Sequence, residues 1–423
     1  MFFHSEIRVA VAPLGLITLL FALPSVSQEN DSSGKTGEAY TSRKIGYHTS
    51  DQGFSGPSSV QSQLDEDDVI RDPLYRFAGA DEFFKPWHEN KKRFNEENDF
   101  QFGFDYNVLA QGLSDSIGTE DNGTVGVLRG YGIWVLTRKS DKDFGRLIFK
   151  VDHRHKLFTD IGPADLASQA GYIGVTGTLF SDVGLVLVDL NWQQSFNNGN
   201  SGLIAGRFDP NDYLGVLGYA NPWTAFSNLA VLLNPSIAFP DAMVGIGGGH
   251  RFNEQWYVKG SINDANGVLT ELDVFKGGAE FFKWAEIGWT PAPDQQYYTN
   301  VHMVAWHVDE RDKAGVPSAH GVMIGANRTT ADRRWMGFVR AGWSKGTAPI
   351  YNETYTLGLV RRLRRNSDEF GLAINWGDPP DDSLKSQTTG ELFYRLQFSQ
   401  GISITPSVQL LKDPALNPID DIV

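Results

Sequence analysis

From Phe100 to Leu410 the chain repeats one pattern: short runs of alternating apolar and polar residues, separated by turn residues. In Phe100-Gln-Phe102-Gly-Phe104-Asp-Tyr106-Asn-Val108 every even position is apolar and every odd one is polar or glycine. Ile402-Ser-Ile404-Thr-Pro406-Ser-Val408-Gln-Leu410 follows the same rule near the other end. Successive side chains of a strand point to opposite faces. A greasy face backed by a wet one, sustained over this length, fits a wall between lipid and water.

A chain of 423 residues holds either two or three ordinary domains or one large β-barrel. Aromatics at 12% and 45 glycines suit a barrel, with its aromatic girdles and tight strand corners. The net charge of −14 argues against a nucleic-acid partner, because binding phosphates takes a basic face. Acidic loops facing the medium account for it. With no cysteine there is no disulfide framework, so backbone pairing and packing must hold the fold.

The first 27 residues read as a secretory signal. Val9 to Leu23 is apolar but shorter than the ~20 residues a spanning helix needs. Ser25-Val26-Ser27 supplies the small-x-small cleavage pattern, although Arg8 is offset by Glu6. A signal is preferred to a membrane anchor. No later apolar run is long enough for a transmembrane helix. Residues 28–80 form a flexible N-terminal segment, rich in Ser, Gly, Gln, Asp and Glu to about residue 66. Within residues 81–99, Asp81 to Asn95 (DEFFKPWHENKKRFN) has the pattern of a short amphipathic helix at a periplasmic mouth.

Residues 100–423 are expected to form the barrel. Strands are placed near 100–109, 124–136, 145–154, 184–193, 201–209, 243–251, 255–262, 279–289, 300–308, 320–328, 335–344, 354–362, 369–376, 390–398 and 402–410. Gly171 to Leu179 is left out, because including it breaks the alternation of longer and shorter connections that hairpins give. A bacterial barrel has an even strand number. The expectation is therefore an all-β, transmembrane antiparallel β-barrel of about 16 strands, its last strand absent from a chain that ends at Val423. The longest connection, Pro210 to Ala242, carries Trp223, Phe226, Ala230 and Leu233 at helical spacing between Pro222 and Pro235. That helix either enters the barrel mouth or packs on the rim. The rival architecture is a secreted β-sandwich, a carbohydrate-binding protein or adhesin, burying its apolar face against a second sheet.

Strand parity names residues for the water face. Arg146, Lys150, Asp152 and Arg154 alternate with Leu147, Phe149 and Val151. A charge on the lipid face costs about 2–4 kcal/mol at midplane, so the charged set points inward. By the same rule Arg207 and Asp209 face inward, with Ile204 and Phe208 outward, and Lys259, Glu286, Arg340 and Arg395 line the channel. Arg and Asp offer donors and acceptors to sugar hydroxyls, and Trp223 a stacking surface if its loop enters the lumen. Each of these groups is otherwise a solvated wall charge or a structural ion pair. Enzymatic signals are weak: H-E-x-x-H, G-x-S-x-G and P-loop patterns are missing. His153 and His155 share a strand face, but two histidines make no metal site. Asp309-Glu310 beside Arg311 reads as a loop. Gly245-Ile-Gly-Gly-Gly249 lacks the helix a dinucleotide site needs. Asp264-Ala-Asn266-Gly267 reads as a turn rather than a calcium loop. No cofactor or metal is implied.

The stretch from Ala205 to Asp241, AGRFDPNDYLGVLGYANPWTAFSNLAVLLNPSIAFPD, closely resembles the OprB family of carbohydrate-selective porins. So do NEQWYVKGSINDANGVLTELDVF (253–275), AEIGWTPAPDQQYYTNVHMVAWHVDERDKAGVPSAHGV (285–322), GLAINWGDPPDDSL (371–384) and FYRLQFSQGISITPSVQLLKDPALNP (393–418). The resemblance implies a sixteen-stranded barrel in a Gram-negative outer membrane, with a narrowed, basic channel for glucose-like sugars. It implies outer-membrane lipid and the outer-membrane assembly machinery as partners. In that family a last strand ending in an aromatic residue follows DPALNP; here Ile419 to Val423 stop short of it. Three-fold assembly is common among porins, and a homotrimer stays open.

Overall fold

The computed structural model describes residues 56–418, apart from 57, 68, 70, 216, 220 and 364–366. The signal segment and most of the N-terminal segment lie outside the described residues. Two helices come first, α1 (Val60–Asp67) and α2 (Ala78–Glu97). The strands are β1 (Phe100–Gly112), β2 (Asn122–Arg138), β3 (Phe144–Lys156), β4 (Gly184–Phe196), β5 (Ser201–Phe208), β6 (Met243–Arg251), β7 (Trp256–Asp264) and β8 (Phe281–Trp289). They continue as β9 (Asn300–Val308), β10 (Ala319–Thr329), β11 (Trp335–Lys345), β12 (Glu353–Arg362), β13 (Glu369–Asp378), β14 (Gln387–Gln397), β15 (Ser403–Ile404) and β16 (Ser407–Lys412). Two single turns of helix, α3 (Leu166–Gln169) and α4 (Leu229–Leu232), lie in connections. Among the described residues no helix is long and apolar enough to cross a membrane.

From β1 to β15 each strand pairs antiparallel with the next, in one 16-stranded sheet. Both β15 and β16 pair with β14, so they are one strand interrupted. Pro406, which has no N–H to give a ladder, sits at the break. A single sheet without a facing partner is not a sandwich. All fifteen expected strands form, and 171–179 stays irregular.

Register shows why the alternation survives. Phe104 lies opposite Gly130 and Phe102 opposite Gly132, so large rings sit over glycine gaps on one face. That face is outward: Phe104, Leu128, Leu357, Leu372 and Ile374 are all at least half exposed. The connections 138–144, 196–201 and 251–256 at one end are short, while 156–184 and 208–243 at the other are long. Short turns mark the periplasmic end of such barrels.

Among the described residues β1 and β15–β16 do not pair, which leaves a seam. The 157–183 connection spans it. Gln111 on β1 and Gln409 on β16 both donate to the Thr176 carbonyl, at 3.0 and 2.8 Å. The Gly171 carbonyl also accepts from the Leu416 N–H.

Three local expectations change. The 209–242 connection is mostly irregular: of the helix expected over 223–233 only the turn α4 forms, beginning after Asn228, which caps Ala230 N. The stretch read as flexible to residue 66 contains α1, whose Val60 and Leu64 pack on Tyr131, Ile133 and Ile148 inside the sheet. Composition signalled disorder there because α1 is mostly polar and gains its order only from the wall it covers. In β5 the parity is opposite to that expected. Ile204 and Phe208 turn inward and are fully buried, while Leu203 is exposed. Arg207 instead shares its face with Leu190 and Val244. Both faces of β5 are apolar, so its alternation carries little information.

Candidate functional site

The lumen is organised by the 209–242 connection. Phe226, fully buried, meets Phe393 edge-on at 4.8 Å and Phe338 at 6.3 Å. Tyr219, Val231 and Leu232 pack in the same cluster with Met336, Val360 and Ala373. Nearer the loop's start, Tyr213, Leu214 and Ile237 pack against Phe282, Trp284, Val304 and Trp306. These wall residues face inward, so the loop lies inside the barrel.

Inward charges hold the loop in register. The Glu391 carboxylate accepts from Ser227 N at 2.7 Å and Asn228 N at 3.0 Å, just where α4 begins. Arg340 donates to the Leu232 carbonyl at 2.9 Å, at the other end of that turn. Both side chains thus meet backbone groups that a single helical turn leaves unpaired at its ends. Lys259 donates to the Tyr213 carbonyl and pairs with Glu286 at 3.3 Å. Glu286 in turn accepts from Gly215 N at 2.8 Å. Arg395 reaches Thr224 Oγ1 at 3.2 Å and the Ser367 carbonyl at 2.7 Å. Lys259, Glu286, Arg340 and Arg395 are therefore loop clamps, all nearly fully buried, and not free channel walls. Sequence parity finds their face but not the backbone they grip.

Arg207 is the larger correction. It is expected to line the lumen, yet its guanidinium is wrapped by the carbonyls of Val268, Leu269 and Glu271 in the β7–β8 connection. Asp209 is half-buried and caps the short 3-10 turn Pro210–Asp212 through Asn211 N. Burial lifts its carboxyl to about 6, against the pull of Lys150.

The loop and α1 also reach the β2–β4 wall, so Arg146, Lys150, Asp152 and Arg154, expected as free channel walls, are as buried as the clamps. On β3, Lys150 sits between Asp189 at 2.9 Å and Asp212 at 2.7 Å. Arg154 donates to its neighbour Asp152 at 2.8 Å. Arg146 donates to Gln193 and to Gln61 of α1, both at 2.7 Å. Trp223, half-buried, lies flat against Arg129, whose guanidinium carbon is 3.9 Å from its ring centre. Arg129 also donates to Asp105 at 2.7 Å and to Gln63 of α1 at 3.1 Å, and Asn107 donates to Asp105. Asp105 and Asn107 keep partial solvent contact. Arg129, Asp105 and Asn107 were not singled out by parity. The signal was present, since Asp105 and Asn107 are the wet positions of the first alternating run.

The remaining motifs carry no site. His153 and His155 sit on the outer face, with Tyr106 at 3.1 Å from His155. Among the described residues no group of three metal-ligating side chains forms. Asp264 accepts from Asn266 N and Phe275 N, which closes its turn. Gly245–Gly249 lies inside β6.

Residues 290–423 match the family described as "Carbohydrate-selective porin, OprB family". No curated protein sequence matches the chain significantly. Among solved structures, the high-pH structure of Pseudomonas putida OprB aligns with a TM-score of 0.62 at 13% identity, covering 79% of this chain and 94% of that one. The low-pH structure of the same protein aligns at 0.46 and 12% identity, covering 79% and 94%. A triple-mutant Rhodopseudomonas blastica porin aligns at 0.46 and 11%, covering 76% and 97%. The first of these carries the fold. In fold over most of its length, and in sequence over residues 290–423, the chain is similar to the carbohydrate-selective porins of the OprB family.

Proposed function

We propose that the chain is an outer-membrane diffusion channel for small sugars, exported by its N-terminal segment. The observation that carries this reading is the inward-folded 209–242 loop, which packs on the inner face of a porin-like sheet where it would narrow a channel. On the β2–β4 side Arg129, Arg146, Lys150 and Arg154 stand against Asp105, Asp152, Asp189 and Asp212, a balanced and paired set of charges. Trp223 offers one aromatic face, and Asp105, Asn107 and Arg129 offer hydrogen bonds beside it. A pyranose presents an apolar face and a rim of hydroxyls, which suits this pairing. Selectivity would come from partition: the channel replaces some of a sugar's water contacts, weakly enough for exit. Glucose-like monosaccharides are the proposed cargo, and assembly as a trimer remains part of the proposal. No step of this mechanism needs a bond to be made or broken, so the protein acts as a channel.

The test is reconstitution in planar bilayers with a glucose titration of the ion current. A concentration-dependent block, absent with a non-sugar osmolyte of equal size, supports the reading. Conductance without any sugar block would overturn the sugar assignment and leave only a general pore.

A further inference from the structure

Helix α2 is built the wrong way round for a helix in water. Its protein-facing side is polar: Asp81 accepts from Gln400 N at 2.8 Å, Lys91 donates to Asp67 at 2.7 Å, and Lys91 and Asn95 are buried. Its aromatic side faces away from the protein: Phe83 is 77% exposed, Trp87 47% and Phe94 42%. These three lie within roughly 40° of arc at ~3.6 residues per turn. A third arc, carrying Glu82, Lys85, Glu89 and Arg93, is exposed and charged. An ordinary surface helix buries its apolar stripe and wets the opposite face. Here three separate arcs face protein, an apolar outside and water.

Position supplies the occupant of the apolar side. The aromatic arc joins the outward row of β1. Phe94 is 5.6 Å from Phe102, Trp87 is 6.2 Å from Phe102, and Phe102 is 5.7 Å from Phe104. Phe104 belongs to the exposed outer face of the barrel. The aromatic surface of α2 therefore continues the lipid-facing wall without a break, at the end with the short turns. Trp and Phe are at home at a membrane–water boundary, where the rings reach the acyl region and a charged arc stays wet.

We propose that α2 is an interfacial helix, with Phe83, Trp87 and Phe94 embedded among phospholipid acyl chains at the periplasmic edge of the barrel. The proposal rests on the membrane reading above, and one experiment separates the two. The chain has no cysteine, so single labels can be placed cleanly. Phe83→Cys, Glu89→Cys and Leu357→Cys are each labelled with an environment-sensitive fluorophore and reconstituted in phosphatidylethanolamine–phosphatidylglycerol vesicles. All three positions are exposed, so labelling does not require repacking. The expected result is that brominated acyl chains quench the labels at 83 and 357 several-fold, while aqueous iodide quenches the label at 89. If 357 is quenched by brominated lipid but 83 responds to iodide as 89 does, α2 is not in the membrane and the proposal fails. A label at 83 shielded from both quenchers means a protein partner covers the face, which also overturns it. If 357 itself escapes lipid quenching, the barrel reading fails with it.

Discussion

Replacing Glu391 by Gln tests whether one wall carboxylate sets the position of the inner loop. Each oxygen of Glu391 has its own work: one accepts from Ser227 N at 2.7 Å and Ser227 Oγ at 3.1 Å, the other from Asn228 N at 3.0 Å. Gln keeps one acceptor and turns an NH2 group toward an N–H. A hydrogen bond to a charged group contributes about 1.5–3 kcal/mol, and leaving a buried N–H unmet costs about 1–3 kcal/mol. Asn228 is fully buried, so water does not take over. Relief of the cost of burying a charge offsets part of this. A net loss of about 2–4 kcal/mol in loop docking is a change of about 30- to 1,000-fold in the docked-to-loose ratio. Single-channel recording should show larger and noisier conductance with weaker glucose block. Migration of the folded barrel on a gel without heating should be unchanged, because the strand pairs are not touched. Unaltered conductance, noise and sugar block in a folded Glu391→Gln protein would refute the clamp.

Trp223→Ala should weaken glucose block about 5- to 30-fold, from about 1–2 kcal/mol of lost stacking and cation–π contact, read from a sugar titration of the current. Phe393→Ala removes a buried ring that touches Phe226 and should cost about 3–5 kcal/mol in unfolding by urea in detergent. Arg207→Ala should leave ion selectivity unchanged and expose the 265–280 connection to protease, because the guanidinium holds that connection's carbonyls. Asp209, lifted to about 6, is ionised above that pH and neutral below it. A carboxyl raised on folding favours the folded form as pH falls from about 6 toward its ordinary range, so stability to urea should rise over that interval and Asp209→Asn should flatten the step.

The strands were legible because each wall residue obeys two local constraints at once: period-two alternation and a charge penalty on the lipid side. Phe100 to Val108 and Leu147 to Val151 show both. β5 shows the limit, since Leu203 and Ile204 are equally apolar and nothing local says which faces lipid. The interior was not legible for a different reason. Phe226, Val231 and Leu232 are separated in sequence from Phe338, Ala373 and Phe393, and no periodicity encodes that meeting. The clamps Glu391 and Arg340 read as channel charges, because a side chain gripping a backbone carbonyl or N–H looks, in sequence, like any other inward charge. α1 was missed since its order comes from Tyr131, Ile133 and Ile148 rather than from its own eight residues.

The filled interior also bears on folding. Phe226 is fully buried between β11 and β14, Leu411 of β16 packs on Ala167 and Tyr172 of an earlier connection, and Arg146 holds Gln61 inside β3. None of these can enter through a finished wall. In the folded chain the 209–242 loop and α1 occupy the concave side around which the sheet curls. Strand pairs join neighbours in sequence, whereas the interior joins Phe226 to Phe393 and Tyr172 to Leu411. Such non-local closure is slow, because loop entropy is lost before the contacts return it. The same residues that fill the interior therefore govern how long the chain remains an open sheet with exposed edges.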